Sequence, residues 1–343
     1  MALTEKQYKE IREELDTCKN PLFFFDDDAD GLCSFLLMYR YLKEGHGIIV
    51  KTHPKLDSRS LPKISEYNPD KVFILDVALV DQDFISNAKR PVIWVDHHGP
   101  YQRQSVKYFN PRVENKEDNF PTTYLNYNVV KQDLWIAMVG CTADYFMPDF
   151  FEEFKKEYSD LVENKKTVGE LYFNTKLGTL VKIFSFILKG KASEVMRYIK
   201  TLTRIESPYE ILNQETPKGK FIFKRYEKLN KIYQSLLEEA TRDVGKEKFL
   251  VFTYEDDKMS FTADISNELL YKYPDKIIIV GRKRDEDVRM SLRSRKTLIP
   301  EALEKALTGL EGYGGGHETA CGASVKQRDF KEFINRMKIY LNP

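Results

Sequence analysis

The sequence predicts an α/β protein: a doubly wound parallel sheet in the first half, a helical connection, and a smaller second α/β unit. Three observations carry this. Short runs of apolar residues at 22–25, 48–50, 71–75 and 92–95 alternate with stretches of helical length. Strands that are apolar at nearly every position are buried on both faces, as in a parallel sheet flanked by helices. Three of these runs end at acidic or imidazole side chains, Asp26, Asp76 and Asp96-His97-His98, and ligands of such sheets bind beyond the carboxyl ends of the strands. The expected organisation is a metal-binding domain at 1–150, a helical region with a connecting helix at 151–243, and a second α/β domain at 244–343.

Taken in order, the polar opening, residues 1–19, has Ile11 and Leu15 at helical spacing and is expected to be a helix rather than a secretory leader. The first strand, Leu22-Phe23-Phe24-Phe25, runs into Asp26-Asp27-Asp28-Ala29-Asp30-Gly31, and a helix is expected over 32–43. After the strand at 48–50, Pro54 and the segment 58–62 mark a loop. The strand at 71–75 is followed by a short helix at 81–89 and the strand at 92–95. Gly99-Pro100 turns the chain, Asn110-Pro111-Arg112 opens a polar loop, and Pro121-Thr122-Thr123 starts a helix. An apolar segment, 135–141, precedes Asp144. Helices are then expected over 150–160, 168–189, 192–204 and 221–243, with a loop around Pro208. The second unit reads as strand 249–252, helix 265–271, strands 277–280 and 288–292, helix 300–306, a glycine loop, strand 323–325 and helix 330–341.

Composition narrows the function. Of 343 residues, 31% are charged and 42% hydrophobic, the balance of a globular protein. A net charge of +1 excludes a uniformly basic nucleic-acid coat while leaving room for a basic groove. The four cysteines, Cys18, Cys33, Cys141 and Cys321, form no C-x-x-C pair, which fits reduced thiols in a cytoplasm and no zinc knuckle. The apolar stretch 177–188 is too short to span a bilayer and carries Lys182.

Four carboxylates at the end of a buried strand repel one another unless a cation neutralises them. A divalent metal site and an acidic turn capping the next helix both account for the loop alone. The five histidines bear on the choice: His97 and His98 follow a strand and an Asp, His317 follows three glycines, and His46 and His53 lie in loop-like sequence with no assigned role. His97 is expected to bind metal and His98 to face substrate, with Asp144 as a further carboxylate ligand. An oxygen-rich site with one imidazole suits Mn²⁺ or Mg²⁺ better than zinc. Gly314-Gly315-Gly316 let a backbone turn approach an anion, although a plain flexible turn accounts for them too. The basic hairpin Arg282-Lys283-Arg284 with Arg289, Arg293, Arg295 and Lys296 is of the kind that holds phosphate backbones.

The ordered set Asp26-x-Asp28-x-x-Gly31, Asp76, Asp96-His97-His98, Asp144 resembles the four motifs of the DHH phosphoesterase superfamily. Gly314-Gly315-Gly316-His317 resembles the signature of the DHHA1 domain of RecJ-like nucleases and nanoRNases, and 288–294 resembles that domain's Ser-x-Arg-Ser strand. The chain looks most like the compact archaeal RecJ-like proteins. The resemblance implies a DHH domain and a DHHA1 domain with the active cleft between them. It also implies Asp26, Asp28, Asp76, His97 and Asp144 as metal ligands, Asp76 and Asp144 bridging two ions. Asp96 would orient the histidines, and Asp76, Asp96, His97 and His98 would form the catalytic set. Substrate would meet His98, Arg293, Ser294, Gly314, Gly315, Gly316 and His317. Relatives of the pyrophosphatase and nanoRNase kinds carry a histidine four residues before the loop's first Asp. Leu22 stands there, so one ion is expected to have a thinner shell, completed by Asp30 or water.

The function expected is a metal-dependent phosphodiesterase, a single-strand-specific exonuclease or oligonucleotide nuclease, working through two Mn²⁺ (or Mg²⁺) and an activated water. Single-stranded DNA or RNA, short oligonucleotides, and replication or repair proteins are the expected partners, and no membrane. The alternatives are a phosphodiesterase or phosphatase of cyclic dinucleotides or nucleoside bisphosphates, and a replication scaffold with residual nuclease activity.

Overall fold

The computed structural model describes residues 2–51, 55–255 and 259–341. The turn expected at Pro54 lies outside them, as does His53. The chain divides into two compact units, Met1–Tyr226 and Glu227–Pro343.

The first unit is built on a parallel sheet. Helix α1 (Glu5–Asp16) opens with a capping box in which Thr4 and Gln7 satisfy each other's backbone N–H. There follow β1 (Pro21–Asp26), α2 (Ala29–Leu42), β2 (His46–Val50), the two-residue β3 (Lys55–Leu56) and α3 (Leu61–Tyr67). Next come β4 (Lys71–Leu75), β5 (Leu79–Val80), α4 (Gln82–Ala88), β6 (Val92–Val95), β7 (Lys107–Phe109), α5 (Thr122–Val130) and α6 (Leu134–Ala143). The main sheet has the order β2-β1-β4-β6-β7, all parallel. Its two faces are both buried. Phe23 and Phe25 join one core with α1, α2, α5 and α6, while Leu22 and Phe24 join another with Ile64, Phe84, Ile85 and Trp94. Alternation along one strand thus feeds two apolar layers, which is why the run carries no polar position.

Helices α7 (Phe151–Glu157), α8 (Ser159–Val162), α9 (Val168–Asn174), α10 (Lys176–Ile187), α11 (Ala192–Leu202) and α12 (Pro208–Leu212) complete this unit, and α13 (Pro217–Thr241) runs across the division. The single helix expected over 168–189 is two. Thr175 ends α9 and caps α10, its hydroxyl accepting from the Gly178 N–H at 3.2 Å. The helix expected over 150–160 likewise breaks at Tyr158. The loop expected at Pro208 is the helix α12, with Ser207 as cap and Pro at its first position. The segment 58–62 is a 3-10 turn leading into α3, not an open loop.

The second unit is a mixed sheet of β8 (Phe249–Glu255), β9 (Ile277–Arg284), β10 (Asp287–Arg293), β11 (Gly312–His317) and β12 (Ala320–Lys326), in the order β11-β12-β10-β9-β8. Only β8 and β9 are parallel. Helices α15 (Pro300–Leu307) and α16 (Phe330–Leu341) pack on one face, and α14 (Thr262–Lys272) on β9 and β10. The expected glycine loop is the edge strand β11, paired with β12 along its whole length. Among the described residues no helix is long and apolar enough to cross a membrane.

Gly140 shows how tightly the helices of the first unit meet. A Cβ there would overlap the Thr123 side chain on α5 and lie 2.8 Å from the Cys33 Cβ on α2. Gly140→Ala is expected to destabilise the first unit by about 1–3 kcal/mol, the usual cost of overpacking, read as a lower urea midpoint.

Candidate metal centre

Three neighbouring parallel strands, β1, β4 and β6, end at Asp26, Leu75 and Val95, so the residues after them converge at one sheet edge. The acidic loop turns at once into α2. Asp28 is the N-cap, its carboxylate accepting from the Gly31 N–H at 2.8 Å. Gly31 is needed for that close approach, because a Cβ would lie 2.7 Å from the Asp26 carbonyl oxygen. After β4 the chain swings through Asp76, held in the left-handed region at φ 63°. This conformation costs a non-glycine residue on the order of 1 kcal/mol or more. It is secured by the Asp76 N–H donating to the Val95 carbonyl at 3.0 Å.

His97 stands at the middle. Its Nε2 lies 3.4 Å from Asp76 Oδ1 and 3.8 Å from Asp30 Oδ2, and its Nδ1 lies 3.8 Å from Asp144 Oδ2. Two groups of ligand atoms result, each within 4.8 Å of one another: Asp76, His97 and His98, and Asp30, His97 and Asp144. Asp144 comes from the C-cap of α6, across from the strand ends. Asp26 and Asp28 lie outside both tight groups, yet their charges bear on them. The Asp76 carboxyl is raised well above the usual range by burial first, then by Asp30, Asp28 and Asp26.

Electrostatics points to a missing positive charge. Burial, then Asp28, pushes Asp26 up to about 8. Burial, then Asp28, pushes Asp30 up to about 6 despite hydrogen bonds from Thr122 and Thr123. Asp144 is raised well above its ordinary value by burial and Asp30. Among the described residues, the buried Oδ2 of Asp76 has no hydrogen-bond partner. Carboxylates in this state are satisfied by a bound cation, so the residues fit a divalent metal, and the oxygen-rich donor set fits Mn²⁺ or Mg²⁺. Asp27 points elsewhere and pairs with Lys51 at 3.1 Å.

His98 is different in kind. Burial works to lower it, but the hydrogen bond to Asp96 and the surrounding carboxylates prevail and raise it to about 9. Its Nδ1 lies 2.8 Å from Asp96 Oδ1, and its backbone N–H donates to Asp96 Oδ2 at 3.2 Å. Asp96 is fully buried and further held by Asn110 Nδ2 at 3.3 Å and Tyr108 OH at 3.4 Å. Asn110 also donates to the His98 carbonyl at 2.9 Å.

Some of these residues carry no signal that sequence reading uses. Asp30 accepts from the backbone N–H groups of Thr122 at 2.9 Å and Thr123 at 2.7 Å, the first of α5. Thr122 Oγ1 donates to Asp76 Oδ1 at 3.0 Å. A Pro-Thr-Thr helix start announces unpaired N–H groups, but not which acid they will meet. Asn110 reads only as the start of a polar loop and Tyr108 draws no assignment, because nothing in their pattern announces β7.

Residues 22–162 match the model of the DHH family, N-terminal domain, and residues 246–342 match that of the DHHA1 domain. This chain is a DHH–DHHA1 protein. Its fold is that of the DHH phosphoesterases. It is similar to RecJ from Thermus thermophilus in complex with Mn²⁺, at 17% identity and a TM-score of 0.70, over 99% of this chain and 55% of that one. It is similar to a manganese-bound exonuclease RecJ at 16% identity and 0.65, over 99% and 95%. It is also similar to CDC45 from Entamoeba histolytica at 10% identity and 0.50, over the full length of both. This chain thus spans about half of the Thermus protein. No curated protein sequence matches it.

In the DHHA1 domain, Arg293 ends β10, its Nε donating to Asn267 Oδ1 at 2.9 Å. Ser294 is buried, and its hydroxyl accepts from the Thr297 N–H at 2.9 Å and donates to the Thr297 carbonyl, closing a turn. Gly314, Gly315, Gly316 and His317 lie exposed along β11.

Raised carboxyls bind protons more tightly folded than unfolded. Metal-free protein is therefore expected to be more stable at low pH and to lose stability as pH rises through about 6 and about 8. At the upper end Mn²⁺ at a hundred times its Kd should add about 2.7 kcal/mol, raising Tm by roughly 5–10 °C. Asp76→Asn should lose most of that shift, measured by calorimetry with and without Mn²⁺.

Proposed function

We propose that this protein is a metal-dependent phosphodiesterase acting on single-stranded nucleic acid or short oligonucleotides, as an exonuclease or oligonucleotide nuclease. The observation that carries the reading is His97 standing within reach of two groups of possible ligands, Asp76 with His98 and Asp30 with Asp144. Asp26, Asp28, Asp76, His97 and Asp144 would hold two divalent ions, with Asp30 able to serve in place of the histidine that Leu22 replaces. The manganese in the RecJ structures of like fold supports Mn²⁺ as the ion. Bound there, the ions supply a water of lowered pKa and neutralise charge on the phosphate.

The chain's own groups do the rest. Asp76, with one oxygen on the Thr122 hydroxyl and, among the described residues, no hydrogen-bond partner on the other, would offer that second oxygen to an ion. Asp96 fixes the ring of His98 by accepting from Nδ1–H, so it is the imidazolium form that also carries Nε2–H to donate to a phosphate oxygen. A cationic His98 adds charge-assisted attraction for that oxygen. No side-chain nucleophile is needed: Cys33 is fully buried in α2, with its thiol raised well above the ordinary range by burial. Arg293, His317 and the Gly314–Gly316 backbone are assigned to the substrate.

Asp76→Ala and His97→Ala should each reduce Mn²⁺-stimulated hydrolysis of an end-labelled single strand by about 10³-fold or more. Asp27→Asn, whose partner is Lys51, should keep most of it. Full activity in both ligand variants, or none in wild type with Mn²⁺ or Mg²⁺, would overturn the reading. The product ladder on DNA and on RNA gives polarity and sugar preference.

A further inference from the structure

The DHHA1 domain presents a sheet face that the metal centre does not explain. Alternation along β10 and β12 sends Val288, Met290, Leu292, Cys321, Ala323 and Val325 into the core with α15 and α16. On β11 the core-side positions are Gly312 and Gly314. A Cβ at Gly314 would lie 3.1 Å from Leu303 on α15. The opposite face therefore carries Arg289, Ser291 and Arg293 from β10 and Tyr313, Gly315 and His317 from β11. Register places these in cross-strand rows: Arg293, Ala320 and His317 in one, Ser291, Gly322 and Gly315 in the next, Arg289, Ser324 and Tyr313 in the third.

Helix α14 covers one end of this face, where Ser266 Oγ lies 3.0 Å from Ser291 Oγ and Asn267 holds Arg293. The β11 end is open. A Cβ on Gly315 would meet nothing within 4 Å. Tyr313 is 66% exposed, and among the described residues its ring packs on no other ring. Arg289 is exposed and, among the described residues, makes no ion pair.

We propose that Tyr313 stacks an unpaired base of a single-stranded nucleic acid, with Arg289 beside it on a backbone phosphate of the same strand. This rests on the proposed roles of Arg293 and His317 as phosphate contacts. Rows two residues apart are about 7 Å from each other, so Tyr313 lies roughly 13 Å along the strand from His317. A strand held by one phosphate at the first row can pass its next phosphate over the middle row, which offers few side-chain atoms, and lay the base that follows against Tyr313. The two arginines give this face the charge its polyanionic occupant needs. A tyrosine ring in water is a platform that any base can use, which gives affinity without sequence preference.

The test is equilibrium binding of a fluorescent oligothymidine to the full chain without divalent metal, so that no turnover intervenes. Tyr313→Ala should weaken binding on the order of 5- to 150-fold, while Tyr313→Phe and Tyr313→Trp stay near wild type. A strand of equal length built from abasic residues should bind wild type as weakly as oligothymidine binds Tyr313→Ala, and the substitution should cost nothing further on it. An oligouridine run in parallel tells DNA from RNA. Unchanged binding in Tyr313→Ala, an equal loss on the abasic strand, or no binding of either oligonucleotide by wild type overturns the proposal. An acidic protein strand seated on the β11 edge would give that last outcome. Hydrolysis with Mn²⁺ is scored separately: Tyr313-dependent binding without hydrolysis removes the phosphodiesterase reading and leaves the stacking contact standing.

Discussion

Negative charge packed at the carboxyl edge of a parallel sheet is the constraint on which the first unit depends. Asp26, Asp30, Asp76 and Asp144 repel one another at short range where little water can screen them. The apolar strands and the helices around them supply the cohesion that keeps these groups together. Phe23, Phe24, Phe25, Phe73 and Trp94 are all fully buried directly behind the acids. The site is thus held by a core whose own preference is indifferent to it, and the repulsion is relieved by protons or by a bound cation.

Local devices aim each group. The start of α5 offers two N–H groups to Asp30, and the Thr122 hydroxyl goes to Asp76. Gly31 and Gly140 remove side chains where a strand loop and three helices must come closest. Asp76 accepts a left-handed backbone to point its carboxylate inward. Arg40 forks onto Asp133 at 2.7 and 2.8 Å and also donates to the carbonyls of Thr203 and Ile205. It thereby ties the far end of α2 to the residue before α6 and to the end of α11.

Much of this is legible in the sequence because burial on both faces leaves a plain trace. Continuous apolar runs locate β1, β4 and β6, and the acids and imidazoles at their ends name the converging edge. The strand β7 escapes because Lys107-Tyr108-Phe109 is short and only its last residue is buried. The glycine run reads as a turn because glycine is the usual turn residue. In the structure it is an edge strand, where a Cβ on Gly314 would crowd the Gly322 carbonyl oxygen at 3.0 Å and Leu303 at 3.1 Å. Helix breaks at Tyr158 and Thr175 are hidden inside apolar periodicity that continues across them. Within the loop, Asp30 is harder to place than Asp26 and Asp28, because its partners, Thr122 and Thr123, are distant in sequence and bind it through backbone atoms.

That His97 serves both ligand groups has a consequence for how the protein is made. The group of Asp76, His97 and His98 is complete once β6 and the two histidines after it have left the ribosome. The group of Asp30, His97 and Asp144 must wait for α6 to dock. The first group is drawn from neighbouring strand ends of one sheet, whereas the second spans residues 30 to 144 and needs both the start of α5, which holds Asp30, and the end of α6, which carries Asp144.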